Sequence, residues 1–324
     1  MYRAISCVAV LACAAAAAAD DAPLRIRNLA PASGIYGEPV ALGGEVLANG
    51  YELTFDTDLA NNFTSDANGG TLAFFDGETT YLTYGFRQAI ADRLEWGIEL
   101  PYVIQRGGYL DPVIDDFHDV FGFDDNGRHA AKHNRIDYFV SDGNKVYVDF
   151  QNERRGWGDA RIGGGFQLLL EPGRALAARA LVKIPTGDSD ELTGSGGTDV
   201  AAWLDYTDRE LLARYRVSIT GAIGLMVLGD GDLLPHEQNR AAGYGHFGLS
   251  YQATDAWSIK GQLDYHSQLI DVSIDQLAGA ALQGTLGVRW QVSPRLWSDF
   301  AMVEDLTANS TSDVMMQLQI GTRF

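Results

Sequence analysis

Cysteine is missing from almost the whole chain: of the 324 residues only Cys7 and Cys13 carry a thiol, and both lie within the first 19. Stabilisation by disulfides is therefore excluded beyond that point, whatever the redox state of the compartment. Long apolar runs are missing as well. The longest uncharged candidate after residue 19, 217–229, spans 13 residues and contains Ser218, Thr220 and three glycines, whereas a membrane helix needs about 18 or more consecutive apolar residues. Basic residues are scarce, 24 against 43 acidic for a formal net charge of -19. A chain so acidic offers no basic face to the phosphates of nucleic acid. No segment carries a sustained 3.6-residue apolar stripe, which argues against a helical domain.

What is present begins with a secretory leader over 1–19. Arg3 supplies the basic start, Ala4–Ala17 the apolar run, and Ala17-Ala18-Ala19 the cleavage site ahead of Asp20-Asp21. Cleavage there removes one basic residue and no acidic one. A lipoprotein signal ending at Cys13 is the alternative, but Leu11 fits it poorly and the leader would be very short. Residues 20–45 hold Pro23, Pro31 and Pro39 and show no sustained period. They are expected to form an irregular periplasmic lead-in or a small plug.

From residue 46 onward, apolar and polar side chains alternate in segments separated by turns. The terminal twelve residues set Val314, Met316, Leu318, Ile320, Thr322 and Phe324 on one face and Asp313, Met315, Gln317, Gln319, Gly321 and Arg323 on the other. Strands are expected at 46–57, 78–88, 92–103, 157–170, 174–184, 199–206, 211–227, 242–253, 256–269, 280–292, 295–305 and 313–324. The links at 89–91, 171–173, 207–210, 254–255 and 293–294 are tight, and those at 58–77, 104–156, 185–198, 229–241, 270–279 and 306–312 are longer. Apolar-out, polar-in alternation with short turns at one end and long loops at the other predicts an all-β fold, a transmembrane antiparallel up-and-down β-barrel of about 12 strands over 46–324. A soluble β-sandwich would show loops of mixed length at both ends. A hairpin at 138–150 within the long third outer loop would make fourteen strands if it crossed the membrane, but its arms are short, which places it outside. In the same loop, 111–123 has the spacing of a short amphipathic helix.

Arg27-Asn28-Leu29-Ala30-Pro31, Phe117-His118-Asp119-Val120-Phe121-Gly122 with Gly127-Arg128, Gly158-Asp159, Lys183-Ile184-Pro185-Thr186-Gly187, Glu304-Asp305-Leu306 and the final Phe324 together resemble a proteobacterial family of outer-membrane barrels catalogued as a domain of unknown function, DUF3187. The resemblance implies a location in the outer membrane and a barrel fold, with no catalytic residues to carry over. The last strand also resembles the terminal strand of outer-membrane barrels, where a final Phe is an assembly signal. The partners implied are outer-membrane lipid and lipopolysaccharide, the barrel-assembly machinery and periplasmic chaperones.

The inward faces are expected to gather Arg87, Arg93, Glu95, Glu99, Arg161, Arg179, Lys183, Arg214, Arg216, Lys260, Asp264 and Arg289. Such a lining either selects solutes or fills a narrow lumen with ion pairs. Basic residues are in the majority in this set, which assigns the acidic excess to loops and lead-in. No stretch has the ligand spacing of a calcium loop. His129 and His133 have the i, i+4 spacing of two metal ligands but lack the Glu of a metalloprotease motif, so no metal or cofactor is expected. A phospholipase-like hydrolase would use a Ser–His pair, yet His266 and Ser267 are adjacent and point to opposite faces of a strand, so no enzyme is expected. Two functions remain: a passive channel for small polar or amphipathic solutes, and a closed barrel serving as a surface scaffold or envelope-integrity protein.

Overall fold

The computed structural model describes residues 21–108, 134–272, 274, 277–306 and 310–324. The expectations for the leader, for a helix at 111–123 and for the His129–His133 pair lie outside those residues. The described chain forms β1 (Tyr51–Asn68), β2 (Thr71–Ala91), β3 (Leu94–Arg106), β4 (Asp137–Ser141), β5 (Val146–Phe150), β6 (Arg154–Trp157), β7 (Ala160–Glu171), β8 (Arg174–Ile184), β9 (Asp199–Asp208), β10 (Val217–Val227), β11 (Ala241–Gln252), β12 (Trp257–His266), β13 (Ala281–Ser293), β14 (Leu296–Asp305) and β15 (Val314–Arg323). Twelve of them form one antiparallel ring. β3 pairs with β7, the strands from β7 to β15 follow in sequence order, and β15 returns to β1 in a register from Glu52↔Arg323 to Asn61↔Val314. Closure leaves no open edge, the condition a sheet must meet in lipid.

The burial pattern is inverted relative to a soluble sheet. Ile223 and Leu225 are 71% and 67% exposed while Lys183 and Asp205 are 0% and 1% exposed. Apolar side chains alternate outward around the ring, including Leu53, Tyr84, Trp96, Phe166, Phe247, Trp290 and Ile320. In water such a belt would be a large unpartnered patch; in a bilayer it is the lipid-facing surface.

The long segment expected as a loop at 58–77 is largely strand. β1 and β2 run on to a turn at Gly69-Gly70, whose φ values of 61° and 92° give the two left-handed centres of a type I′ hairpin. Its Asp, Asn, Ser and Thr content reads as loop, but the pairing carries the hairpin beyond the apolar belt, where outward side chains need not be apolar. The β4/β5 hairpin adds to this extension, pairing Leu72–Asp76 of β2 with 137–141. Below that point β2 pairs with β3 instead, so the hairpin stays out of the ring and the fourteen-strand alternative is discarded. The strand expected from 211 begins at Val217. The Asp208 carboxylate accepts the N–H groups of Glu210 and Leu211, both at 2.8 Å, and starts a turn that contains a 3₁₀ segment, Ala213–Tyr215.

Two apolar clusters lie inside. One packs Leu24, Ile26 and Leu29 against Ala60, Tyr81, Val103, Ala301, Val303 and Met315. The other caps the loop end, where Ile35 and Tyr36 meet Leu192, Leu228, Leu233, Leu234, Leu269 and Ile270 from the loops. Each fully buried Leu or Ile contributes up to about 1.5–3 kcal/mol. The clusters thereby fix the segment before β1 inside the ring.

Candidate functional site

Residues 21–46 cross the lumen twice. The first pass leans on β12, β15, β1 and β3. Leu24 donates its N–H to Gln262 Oε1 at 2.9 Å and accepts from Gln262 Nε2 at 3.0 Å, so one side chain substitutes for a strand partner. Gln317 donates to the Arg25 carbonyl at 2.7 Å, and Lys260 to that of Ala22. Arg25 bridges Asp56 at 3.3 Å and Glu99 at 2.5 Å, and Arg27 also pairs with Glu99. Asn28 lies 2.8 Å from His266 Nε2 and donates to the Ser310 carbonyl at 2.9 Å.

The chain reverses at Ala30–Tyr36, closed by Gly34 N–H donating to the Ala30 carbonyl at 2.8 Å. The second pass leans on β3, β7, β8 and β9. Its N–H groups donate to side chains of the wall: Gly37 to Asp199, Gly44 to Thr207 and Val46 to Gln167 at 2.9 Å, and Leu47 to Glu95 at 2.8 Å. Arg179 donates to the Gly43 and Glu45 carbonyls. Gly44 passes so close to the wall that a Cβ would stand 2.2 Å from the Ala175 carbonyl. An irregular backbone in the lumen must place its polar groups somewhere, and these inward side chains receive them.

At the turn end Arg209 holds Asp21 and Glu45, each at 2.6 Å, and so joins the start of the segment to its end. Partial burial opposes the guanidinium charge, and the two carboxylates more than offset it, raising the Arg209 pKa above its usual value.

Of the expected lumen residues, Arg87, Glu95, Glu99, Arg161, Arg179, Lys183, Lys260, Asp264 and Arg289 do point inward. Arg87 links Glu52 at 3.0 Å with Glu95 at 2.7 Å; Arg179 pairs with Glu95 and, at 3.0 Å, with Asp205; Arg289 grips Asp299 through two nitrogens at 2.7 and 2.5 Å. Three do not line the lumen as expected. Arg93 is exposed in the β2/β3 turn, Arg214 is exposed in the 3₁₀ segment, and Arg216 caps that segment with φ 59° at the turn-end mouth. Each sits where the strand period has not yet begun.

The expected basic majority is also corrected. Glu52, Asp56, Asp58, Asp159, Asp199, Asp205 and Asp299 are all buried and inward. Asp159 shares parity with Arg161, whereas the others lie on strands from which no inward residue is expected; their signal is the alternation with outward apolar neighbours such as Leu53, Leu204 and Phe300. Two of the quoted motifs meet here. Lys183 contacts Asp159 at 2.5 Å, Asp199 at 3.3 Å and Ser195 Oγ at 2.5 Å, while Gly187 N–H donates to Asp159 at 2.9 Å. The Lys183–Gly187 motif thus ties the loop after β8 to the entry of β7.

On β10–β12, Thr220 Oγ1 lies 3.0 Å from His246 Nε2, and His246 Nδ1 lies 3.1 Å from Asp264. This order of groups suits nucleophilic chemistry. Yet Thr220 is 4% exposed, and a Cβ on Gly248 would stand 2.6 Å from its hydroxyl, so the line is packed against the wall. His266 is buried against Asn28 with its Nδ1 2.9 Å from the Ser267 carbonyl, while the Ser267 hydroxyl accepts the Gly243 N–H at 3.0 Å, so hydroxyl and imidazole do not pair. Among the described residues no group of His, Cys, Asp and Glu has the arrangement of a metal site.

Solved structures share the architecture. The chain is similar to the COG4313 outer membrane channel from Pseudomonas putida F1, with a TM-score of 0.56 and 12% identity over 87% of this chain and 97% of that one. Weaker likenesses are to the KdgM porin, at TM-score 0.45 and 5% identity over 84% of this chain and 99% of that one, and to the P. putida toluene transporter TodX, at TM-score 0.39 and 10% identity over 86% and 90%. At these identities the likeness concerns the fold, that of outer-membrane β-barrels. No curated protein matches the sequence. The family model described as "Protein of unknown function (DUF3187)" matches residues 2–324, and the chain belongs to that family.

Proposed function

We propose that the protein is an outer-membrane channel for small polar or amphipathic solutes, held closed by residues 20–45. In this reading 1–19 is a cleaved leader, 20–45 a plug and 46–324 the barrel, with the short turns in the periplasm and the long loops outside. The observation that carries it is how the lumen is filled. A barrel closed for good can be packed by side chains of its own wall. Here the filler is a separate segment that enters and leaves at the same end. Polar bonds that water can replace hold much of it in place. A cavity of about 450 Å³ remains open beside it at the turn end.

The scaffold reading is favoured by the apolar cap of loop residues over the reversal at Ala30–Tyr36. Liposome swelling separates the two. Proteoliposomes carrying the barrel without residues 21–45 should swell in isotonic small sugars or amino acids, and the full chain should swell much more slowly. Folded barrels of both kinds that admit no solute would replace the channel with the scaffold.

A further inference from the structure

The plug braces β12, β15, β1, β3 and β7–β9, and the cavity of about 450 Å³ lies beside it at the turn end, bounded by β10, β11, β13, β14, the first residues of β12 and the turn-end arginines. Its wall is a cross-strand row. Ser218 stands beside Ser250, Gln252 beside Ser258, and Gln291 beside Trp297. Directly opposed side chains on neighbouring strands are about 5 Å apart, so the row presents polar groups at short, regular steps.

Two of these groups are buried and unsatisfied. Ser218 is 8% exposed and its hydroxyl has no partner. Gln291 is 9% exposed; its amide nitrogen donates to the Ser293 carbonyl at 2.8 Å, but its oxygen has no partner. Such atoms carry an uncompensated desolvation cost that a bound donor or acceptor removes.

The rim is basic. Arg209 is held by Asp21 and Glu45, and Arg323 by Glu52 at 2.8 Å. Arg216 is held less closely, 3.9 Å from Asp255 and 3.5 Å from the Ala253 carbonyl. Ala213, Val217 and Pro294 add apolar surface, while Trp297 is buried under Arg323. A small molecule with many hydroxyls, a C–H face and one negative group matches all three features. Its size also fits, since small-molecule sites run to about 300–1,000 Å³.

We propose that this vestibule binds a small polyhydroxylated carboxylate, a sugar acid. The hydroxyls pair with Ser218, Gln291 and their neighbours, the ring lies along the apolar surface, and Arg216 meets the carboxylate. This deepens the channel reading and rests on it for the role of the site, as the place where solute collects beside the plug.

Calorimetric titration of the folded, detergent-solubilised full chain with D-glucuronate and D-glucose tests it, with heat-modifiable gel mobility as the control for folding. Glucuronate should bind about tenfold tighter than glucose, the scale of one charge-assisted hydrogen bond. Arg216→Gln should abolish that preference while leaving glucose binding in place. Ser218→Ala with Gln291→Leu should weaken both sugars. Binding of neither, equal binding of both, displacement by acetate as effective as by glucuronate, or indifference to these substitutions would overturn the site. The channel reading fails separately. Swelling without glucuronate binding removes the site and keeps the channel, and binding without swelling in the barrel lacking 21–45 does the opposite.

Discussion

Tyr51 and Phe324 close the barrel seam as a pair. Their rings stack at 4.9 Å with 17° between planes, Tyr51 N–H donates to the Phe324 carbonyl at 3.2 Å, and Phe324 N–H returns a bond to Tyr51 at 2.9 Å. Gly50 precedes them with φ 70°, and a Cβ there would stand 1.8 Å from the Phe324 carbonyl oxygen. The first and last strands therefore meet at their ends through ring contact and backbone together. Phe324→Ser should lower the yield of folded barrel, read as the heat-modifiable fraction of the membrane protein. It should leave the unfolding of barrels already formed nearly unchanged, and an unchanged folded yield would contradict this role.

Arg179 sits between Glu95 and Asp205, all three side chains 1–2% exposed. Arg179→Met leaves buried Asp205 without its cation and Glu95 with Arg87 alone, a loss of about 3–5 kcal/mol for a broken buried ion pair. Urea unfolding in detergent should show a fall of that size. Adding Asp205→Asn to the same chain, with Glu95 kept for Arg87, should recover much of it.

Glu99 is the shared acceptor for Arg25 and Arg27. Glu99→Gln should loosen the first pass of the plug while leaving the ring paired. The expected readout is faster trypsin cleavage within 21–46 at unchanged heat-modifiability. A cleavage rate equal to that of the unsubstituted chain would show that the apolar contacts of Leu24, Ile26 and Leu29 suffice on their own.

Topology is open to labelling because no cysteine follows residue 13. Asn144 lies exposed in the β4/β5 turn and Asp255 exposed in the β11/β12 turn. Asn144→Cys should react with an impermeant maleimide on intact cells and Asp255→Cys only after lysis. The Asp142 carboxyl, accepting the Lys145 and Asn144 N–H groups and the Tyr147 hydroxyl, is held below the usual carboxylate range, so this turn should keep its form in mildly acidic medium.

The ring was legible in the sequence because alternation at a period of two survives wherever one face meets lipid and the other the lumen. It fails beyond the lipid, which is why 58–77 read as a loop and why Arg93 and Arg214 were placed inside. Asp56 and Asp205 alternate with apolar neighbours such as Phe55 and Leu204, but neither strand carries a basic residue to mark its inward face. The course of 21–46 was not legible. Three prolines and no period announce irregular backbone, yet its bonds go to Gln262, Gln317, Asp199 and Gln167, all more than a hundred residues away, and nothing local encodes those distances.

The central claim, a channel that residues 20–45 hold closed, is tested most directly by single-channel recording with the plug locked. A Cβ on Gly37 would stand 2.9 Å from that of Asp199, so the segment must back away by roughly 0.6 Å or more to reach the separation of about 3.5–4.5 Å across a disulfide. The chain with Gly37→Cys and Asp199→Cys should be silent in a planar bilayer when oxidised and on reduction should regain the brief openings of the full chain, well below the large steady conductance of the barrel without 21–45. Equal conductance in the oxidised and reduced states, or none from the barrel without 21–45, would contradict the account.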